Sequence, residues 1–224
     1  MNKENKLTKM GLGILVTSFV LMIIILFLKL PANKTLAAEI EENFTNISKL
    51  IDEQVRNKSE VSFSSNPYDY IKDNKYYENI VNKGFAALPI LEKKLQNSET
   101  DGLQDYIVAI AIEEITKTNL KNDPNTAWST AKEFNVEWDE FIDGASKDIE
   151  AIFSSTSSIE IKIKDIEKYG LLAVPYLSKY SNQSTNKNES ANNDIQVINA
   201  YLKKLSVTTE EISKIENYLN DKIQ

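Results

Sequence analysis

The strongest pattern in the chain is an apolar run near its start. Residues Met10–Leu28 contain no charged side chain and lie between Lys9 and Lys29. A helix of this length extends roughly 28 Å at ~1.5 Å per residue, which matches a hydrocarbon core of ~30 Å. A backbone in lipid must satisfy its own hydrogen bonds, so the run predicts a transmembrane helix over residues 10–30. We expect the chain to contact the membrane through residues 10–28.

The same segment also resembles a long signal peptide. Residues 1–9 carry three lysines, and Ala38 offers a small-residue cleavage site. Against cleavage, the run is longer than a usual signal, and Leu36 would occupy position −3 of a cut after Ala38. The lysine excess before the run favours a cytoplasmic N-terminus for residues 1–9 and an extracellular C-terminal domain. A cleaved, released secreted protein stays the alternative.

Residues 31–67 are expected to hold an amphipathic helix and a linker. Apolar side chains between residues 38 and 57 recur at intervals of three and four, which is typical of a helix with one buried face. Such a helix would either cap the following domain or form a stalk. Residues 58–67 are polar and are expected to form the linker. The apolar positions are Ile40, Phe44, Ile47, Ile51 and Val55.

Two stretches of the chain resemble each other at an offset of 86 residues, Ile80–Leu95 and Ile166–Tyr180. Each is followed by a polar loop and a second apolar segment, so the pattern predicts a helical hairpin built twice. Glycine allows a left-handed turn, and proline is tolerated in the first turn of a helix. Four of the recurring residues are therefore expected to have structural roles: Gly84, Pro89, Gly170 and Pro175.

Three details of this organisation remain open at the sequence level. The apolar segment Tyr106–Ile112 predicts a buried helix, although a buried strand is the alternative. Residues 122–155 are expected to hide a degenerate middle unit, with helices near Ala127–Phe134 and Glu137–Phe153. Ser157 and Glu160 fit a capping box that opens the helix before Gly170.

The last third of the chain contains a polar loop and a terminal helix. Residues 181–193 are almost free of apolar side chains and predict a solvated, mobile loop. Thr208 or Thr209 is expected to begin an amphipathic helix at the end of the chain. In a stack of repeats such a helix would cover the last hydrophobic face.

The recurring pattern Gly-x-x-Ala-(Leu/Val)-Pro-x-Leu, followed by an apolar helix, resembles HEAT-like repeats. The resemblance covers residues ~76–119 and ~159–205, and the offset equals two units of about 40–47 residues. It implies an all-α domain over residues 68–224, built as a short HEAT-like α-solenoid. The segment Asn66–Leu91 also resembles an uncharacterised module of exported and membrane-tethered proteins of Gram-positive bacteria. Some of those proteins carry an antibiotic-sensing peptidase domain, which this chain lacks, so the resemblance implies no activity.

Composition limits the kinds of partner and of catalytic or metal site that the chain can have. The net charge is −7, and residues 1–34 contribute +4, so the remainder carries −11. This acidic balance argues against a nucleic-acid partner, which would need a basic surface. The chain has neither cysteine nor histidine, which excludes disulfides, thiol catalysis and imidazole bases or metal ligands. We therefore expect no cofactor and no metal.

Aromatic and acidic side chains are the remaining candidates for function. Tyrosine and tryptophan are favoured at binding hot spots, although packing in the core is an equally ordinary role. Acidic residues between 137 and 143 lack EF-hand spacing and are typical of a solvated helix face. The main hypothesis is a non-catalytic binding or scaffold module for an envelope protein or peptide, and the alternative is an envelope enzyme with paired carboxylates. The candidate partner-binding residues are Tyr68, Tyr70, Tyr76, Tyr77, Trp128, Trp138 and Glu140.

Overall fold

A computed structural model describes residues 34–184 and 189–223, and all regular secondary structure in these residues is helical. The expected all-α class is therefore confirmed for this part of the chain. None of its helices is both long and apolar enough to cross a bilayer. The predicted transmembrane segment, residues 10–28, lies outside the described residues. The α-helices are α1 (Leu36–Arg56), α2 (Tyr68–Ile71), α3 (Lys75–Val81), α4 (Leu88–Gln96), α5 (Leu103–Thr116), α6 (Ala131–Ser154), α7 (Ile159–Ile166), α8 (Val174–Ser184), α9 (Glu189–Leu205) and α10 (Thr209–Ile223).

Helix α1 is the amphipathic helix expected after residue 37, and it packs against α3. Its apolar stripe is buried at Ile40, Phe44 and Ile47, because these side chains meet the core of the domain. The apolar side chains become exposed towards the end of the helix, where Val55 is 54% exposed. Helix α1 is therefore an integral part of the domain rather than a free stalk.

The two copies of the repeated motif follow the same backbone course. In each, a short helix leads to a glycine with positive φ, 56° at Gly84 and 52° at Gly170. A 3-10 turn follows, and the next helix begins with Leu88–Pro89 in the first copy and Val174–Pro175 in the second. Glycine is favoured at both turns because side chains at positive φ cost energy.

The packing of the two copies also corresponds. Helix α5 packs against α3 and α4, and α9 packs in the same way against α7 and α8. The segment from Ile107 to Ile112 is buried in α5, so the strand alternative is wrong. Burial on all sides explains why its sequence shows no polar face.

Residues 131–154 form one helix, α6, and the expected hairpin within residues 122–155 is wrong. The helix begins at a capping box in which Thr130 and Glu133 each accept from the other's backbone amide. It continues through the expected break because Phe134 and Trp138, four residues apart, bury on the same face. Helix α6 packs on α4 and α5 of the first copy and on α7 of the second.

A ladder of ring contacts follows α6 and connects the two copies. Neighbouring ring centroids lie between 4.6 and 6.1 Å apart, a normal range for aromatic pairs. The first ring belongs to α5 and the last to the 3-10 turn of the second copy, so α6 serves as the bridge between them. The rings are, in order, Tyr106, Trp128, Phe134, Trp138, Phe141 and Tyr169.

The C-terminal helix α10 lies between the two copies. It packs against the 3-10 turn of the first copy, Gly84–Ala87, and against α8 of the second. The Tyr218 ring makes an edge contact with Phe85 at 5.8 Å between centroids. In an open solenoid each unit contacts only its neighbours, so α10 has a more central position than a terminal cap. Thr208 is its N-cap residue, because Thr208 and Glu211 exchange hydrogen bonds.

Two local expectations also need correction. Helix α8 continues to Ser184 and α9 begins at Glu189, so much of the loop expected over residues 181–193 is helical. A polar sequence alone does not exclude a solvated helix. Helix α7 confirms the helix expected before Gly170, but its N-cap residue is Ser158 rather than Ser157.

Candidate functional site

Three of the aromatic candidates are core residues and not surface residues. Tyr77, Trp128 and Trp138 are only 4%, 2% and 1% exposed. Trp128 and Trp138 belong to the aromatic ladder, and Tyr77 packs in the same core. The reading of these three side chains as direct partner contacts is wrong, because large aromatic rings gain most by leaving water.

Trp138 instead helps to hold a buried carboxylate. Glu92 on α4 is 5% exposed, and its Oε1 accepts hydrogen bonds from Trp138 Nε1 at 2.7 Å and from the Tyr218 hydroxyl at 2.5 Å. The Lys222 ammonium lies 3.1 Å from the other carboxylate oxygen. Burial, followed by the charge of Glu92, raises the pKa of Tyr218. The Glu92 cluster thus joins α4, α6 and α10, and its donors occupy the oxygens that a base or nucleophile would use.

Glu92 is not among the site residues that the sequence predicts. One signal was present, because Glu92 follows Leu88 by four residues and Leu91 by one, within an apolar stripe. A charged residue at such a position needs a partner when it is buried. The partners come from α6 and α10, so only the tertiary structure identifies them.

Near the C-terminal end of α5, Tyr68 and Tyr77 lie close to Glu113 and Glu114. The Tyr77 hydroxyl donates to Glu114 at 2.6 Å, whereas Glu113 accepts from the Lys121 backbone amide at 3.0 Å. Burial raises the pKa of Glu113, although the amides of Lys121 and Leu120 oppose this effect. Adjacent residues on a helix point in different directions. Accordingly, these carboxylates bind different partners and do not act as a pair.

Lys121 packs against the aromatic residues next to this group. Its ammonium lies 4.2 Å from the Trp128 ring centroid and 4.8 Å from that of Tyr106, a cation–π arrangement. It also donates to the Tyr106 hydroxyl and to the Trp128 carbonyl oxygen. Tyr68 lies at the edge of this group and is 42% exposed. Burial, followed by the charge of Glu113, raises the pKa of Tyr68.

The other predicted surface residues lie elsewhere. Tyr70 is half-buried and donates to the Ser64 carbonyl oxygen at 3.0 Å. Tyr76 is half-buried beneath the Lys75 ammonium, which is 5.0 Å from its ring centroid. Glu140 is exposed on α6. Within residues 34–184 and 189–223, no group of three or more acidic side chains is arranged to hold a metal ion.

Two open grooves run along equivalent faces of the repeated helices. The first repeat groove is lined on α4 by Pro89, Ile90 and Lys93, and it encloses about 720 Å³. Its other walls come from the start of α1, the turn between α4 and α5 and the start of α5, including Glu41 and Gln104. Both apolar and charged groups therefore line it.

The second repeat groove is lined on α8 by Pro175, Tyr176 and Lys179, and it encloses about 450 Å³. These residues follow Pro89, Ile90 and Lys93 at the same offset of 86. The opposite wall is different, because α10 provides it through Glu216 and Leu219. Both volumes fall in the range of about 300–1,000 Å³ that is usual for ligand sites.

The two repeat grooves, the Glu92 cluster and the group around Glu113 and Glu114 thus differ in their chemistry. The Glu92 cluster is buried and holds helices together, whereas the two repeat grooves are open to solvent. No protein-family model, no curated protein and no solved structure matches this chain.

Proposed function

We propose that this chain is a membrane-tethered, extracytoplasmic module that binds a protein or peptide partner along its two repeat grooves. One observation carries the proposal. The same helix face, with proline, a large apolar residue and a lysine, is open in both copies although different elements form the opposite walls. If the exposure of these faces were accidental, it would not be expected at equivalent positions of both copies.

The lining of the grooves favours a partner with apolar groups and with charges of both signs. Ile90 and Tyr176 provide apolar contact area, and tyrosine is favoured at binding hot spots. Lys93 and Lys179 are exposed beside them and supply cationic groups, and Glu41 and Glu216 supply carboxylates on the opposite walls. Charge complementarity of this kind favours specificity and the rate of association more than affinity.

The proposed scaffold is a short HEAT-like stack. The matching turns at Gly84 and Gly170, and the matching three-helix packing, support this interpretation. In the proposed stack, the last helix, α10, lies between the two copies and contacts both of them. The similarity to a module of exported Gram-positive proteins is part of the same proposal.

The proposed tether is the apolar run at residues 10–28. Cleavage after Ala38 would release the domain, but Ala38 lies in the first turn of α1. A peptidase that needs an extended segment would have to unwind this turn first. This local structure supports an uncleaved anchor. The intact mass of the mature chain shows directly whether residues 1–38 have been removed.

The binding proposal is tested with a photo-crosslinking amino acid introduced in cells that make the full-length chain. It replaces Ile90 in one variant and Tyr176 in another, and the matched control replaces Ile161, which is 51% exposed on α7. We expect the first two variants to give the same protein or peptide adduct and the control to lack it. Adducts that are equal at all three positions, or absent from both grooves, would contradict the proposal.

A further inference from the structure

Helix α10 lies in a groove formed by other elements of the domain, which we call the α10 groove. The helix packs on α6, on α8 and on the 3-10 turns of both copies. Among residues 209–222 its buried side chains are Ile215, Tyr218 and Leu219, and most of the others are exposed. By contrast, α5 is buried along most of its length. Helix α10 is thus an amphipathic helix with one narrow buried face.

The α10 groove combines an apolar surface with one buried carboxylate. Phe85 contacts the Tyr218 ring at 5.8 Å between centroids. Glu92 accepts from the Tyr218 hydroxyl at 2.5 Å, and its other oxygen lies 3.1 Å from the Lys222 ammonium. Tyr218 and Lys222 belong to α10, whereas Trp138 Nε1, the third donor to Glu92, belongs to α6. When α10 leaves, Glu92 keeps the Trp138 hydrogen bond and gains access to water, so its charge is not left buried and unpaired.

The turn that places α10 in this groove depends on a strained residue. Ser206 has a φ of 55°, a region in which a residue other than glycine costs energy. It is exposed, and only Val207 and Thr208 separate it from the start of α10. Residues 189–223 contain neither glycine nor proline, so no helix breaker prevents α9 and α10 from joining into one helix. A change of Ser206 to the ordinary helical conformation relieves its strain and moves α10 out of the groove.

We propose that α10 is a releasable strap over a helix-binding groove, and that an amphipathic helix of the partner takes its place. The α10 sequence defines the chemistry of that helix. It needs apolar residues at the spacing of Ile215, Tyr218 and Leu219, and a hydroxyl or ammonium group that reaches Glu92. Docking of an amphipathic helix in a groove is an established mode of peptide recognition.

The inference rests on the proposed function, because it assumes a polypeptide partner. It adds a means of regulation, since α10 forms one wall of the second repeat groove through Glu216 and Leu219. Release of α10 therefore changes the second repeat groove. The first repeat groove has no wall from α10 and stays as it is.

The buried carboxylate favours a helix of this kind over other occupants of the α10 groove. An anionic ligand would place a second negative charge beside Glu92, and like charges at short distance repel. A purely apolar ligand would cover Glu92 and leave it with the Trp138 hydrogen bond alone, which is costly for a buried charge. A helix that carries tyrosine or lysine satisfies both the apolar surface and the carboxylate.

Hydrogen exchange of the full-length chain in mild detergent, followed by mass spectrometry, measures the release of α10. A helix that loses its tertiary contacts is marginally stable in water, so its amides exchange. We expect the amides of α10 to exchange together, at least about tenfold faster than those of α5. Tyr218→Phe removes one donor to Glu92 and should accelerate exchange in α10 about tenfold, with α5 unchanged. Ser206→Gly favours the closed turn and should slow exchange in α10 about fivefold.

The probe for the empty groove is a fluorescein-labelled peptide of residues 206–223, added to the same preparations. Because the open state is a minor population, the apparent affinity follows the open fraction. We expect saturable binding that is about tenfold tighter for Tyr218→Phe, and about fivefold weaker for Ser206→Gly, than for the wild-type chain. A peptide that carries Tyr218→Ala and Leu219→Ala should not bind.

Lys214→Gln is the matched control in the chain, because Lys214 pairs with the exposed Glu210 at 2.8 Å on the solvent side of α10. It should leave exchange and peptide affinity unchanged. The proposal would be overturned by exchange in α10 no faster than in α5, by equal acceleration of both helices in Tyr218→Phe, or by no peptide binding to that variant. Adducts at Ile90 report on a groove that α10 does not line, so the two proposals fail independently.

Discussion

Gly84 and Gly170 share a positive φ, 56° and 52°, but an added Cβ would overlap the backbone of another element only at Gly170. The carbonyl groups of Thr116 and Lys117, at the end of α5, lie over Gly170. The two glycines therefore have the same conformational role and different packing roles. Substitution at each of them separates these two contributions.

Gly170→Ala should destabilise the domain far more than Gly84→Ala. Both changes place a side chain at positive φ, which costs about 1 kcal/mol. In Gly170→Ala the new methyl group also overlaps the backbone of α5, so we expect a total loss of at least about 4 kcal/mol. Urea unfolding followed by circular dichroism measures both free energies, and similar losses for the two variants would contradict the assigned packing.

Removal of the Glu92 carboxylate should loosen α10 from the rest of the domain. Glu92→Ala leaves the Trp138 indole and the Tyr218 hydroxyl without their acceptor, and we expect a loss of about 3–5 kcal/mol. Glu92→Gln keeps an acceptor oxygen and loses only the charge facing Lys222, so its cost should be about 1 kcal/mol. The measurement is the free energy of unfolding in urea.

Glu140→Ala is the matched control for this series. Glu140 is exposed on α6, and its loss should change stability by less than about 0.5 kcal/mol. If Glu92→Ala were no more costly than this control, the buried cluster would not stabilise the fold.

The aromatic ladder should be a main source of stability. Trp128 makes ring contacts with Tyr106 at 4.6 Å and with Phe134 at 5.2 Å between centroids, and it is 2% exposed. Trp128→Ala removes these contacts and leaves a cavity, so we expect a loss of about 3–5 kcal/mol. Phe63→Ala serves as the control, because Phe63 is 76% exposed and should contribute less than about 0.5 kcal/mol. Differential scanning calorimetry compares the two melting transitions.

Alkaline pH should destabilise the domain through its buried tyrosines. Burial, followed by the charge of Glu167, raises the pKa of Tyr201 to about 12, whereas an unfolded tyrosine has a pKa of about 10. Between these values the folded chain keeps a proton that the unfolded chain releases, so this contribution is complete below about pH 10 and is lost as pH rises through 12.

Tyr201→Phe removes this titration. We expect wild type to lose about 1 kcal/mol more stability than Tyr201→Phe between pH 10 and pH 12, since partial solvation reduces the effect. Urea unfolding at pH 8, 10 and 12 gives the difference, and absorbance of tyrosinate at 295 nm follows the ionisation. Parallel curves for the two proteins would show that Tyr201 titrates as in the unfolded chain.

Local patterns predicted the helices whose faces were clear. The spacing of Ile40, Phe44 and Ile47 gave α1, and the recurrence of glycine and proline gave the matched turns at Gly84 and Gly170. These features depend on backbone preferences and on one buried face, which a short stretch of sequence encodes. The break expected within residues 122–155 is absent, because burial of Phe134 and Trp138 on one face keeps α6 continuous.

The sequence by itself therefore determined the helical class, the repeated motif and the apolar run at residues 10–28, because each depends on residues close together in the chain. Only the tertiary structure decided the partners of Glu92, the burial of Trp128 and the open space over Gly84. The partners of Glu92 come from α6 and α10, and Trp128 packs against Tyr106 of α5. Which side chain is buried or exposed is set by those long-range contacts, and no local pattern contains them.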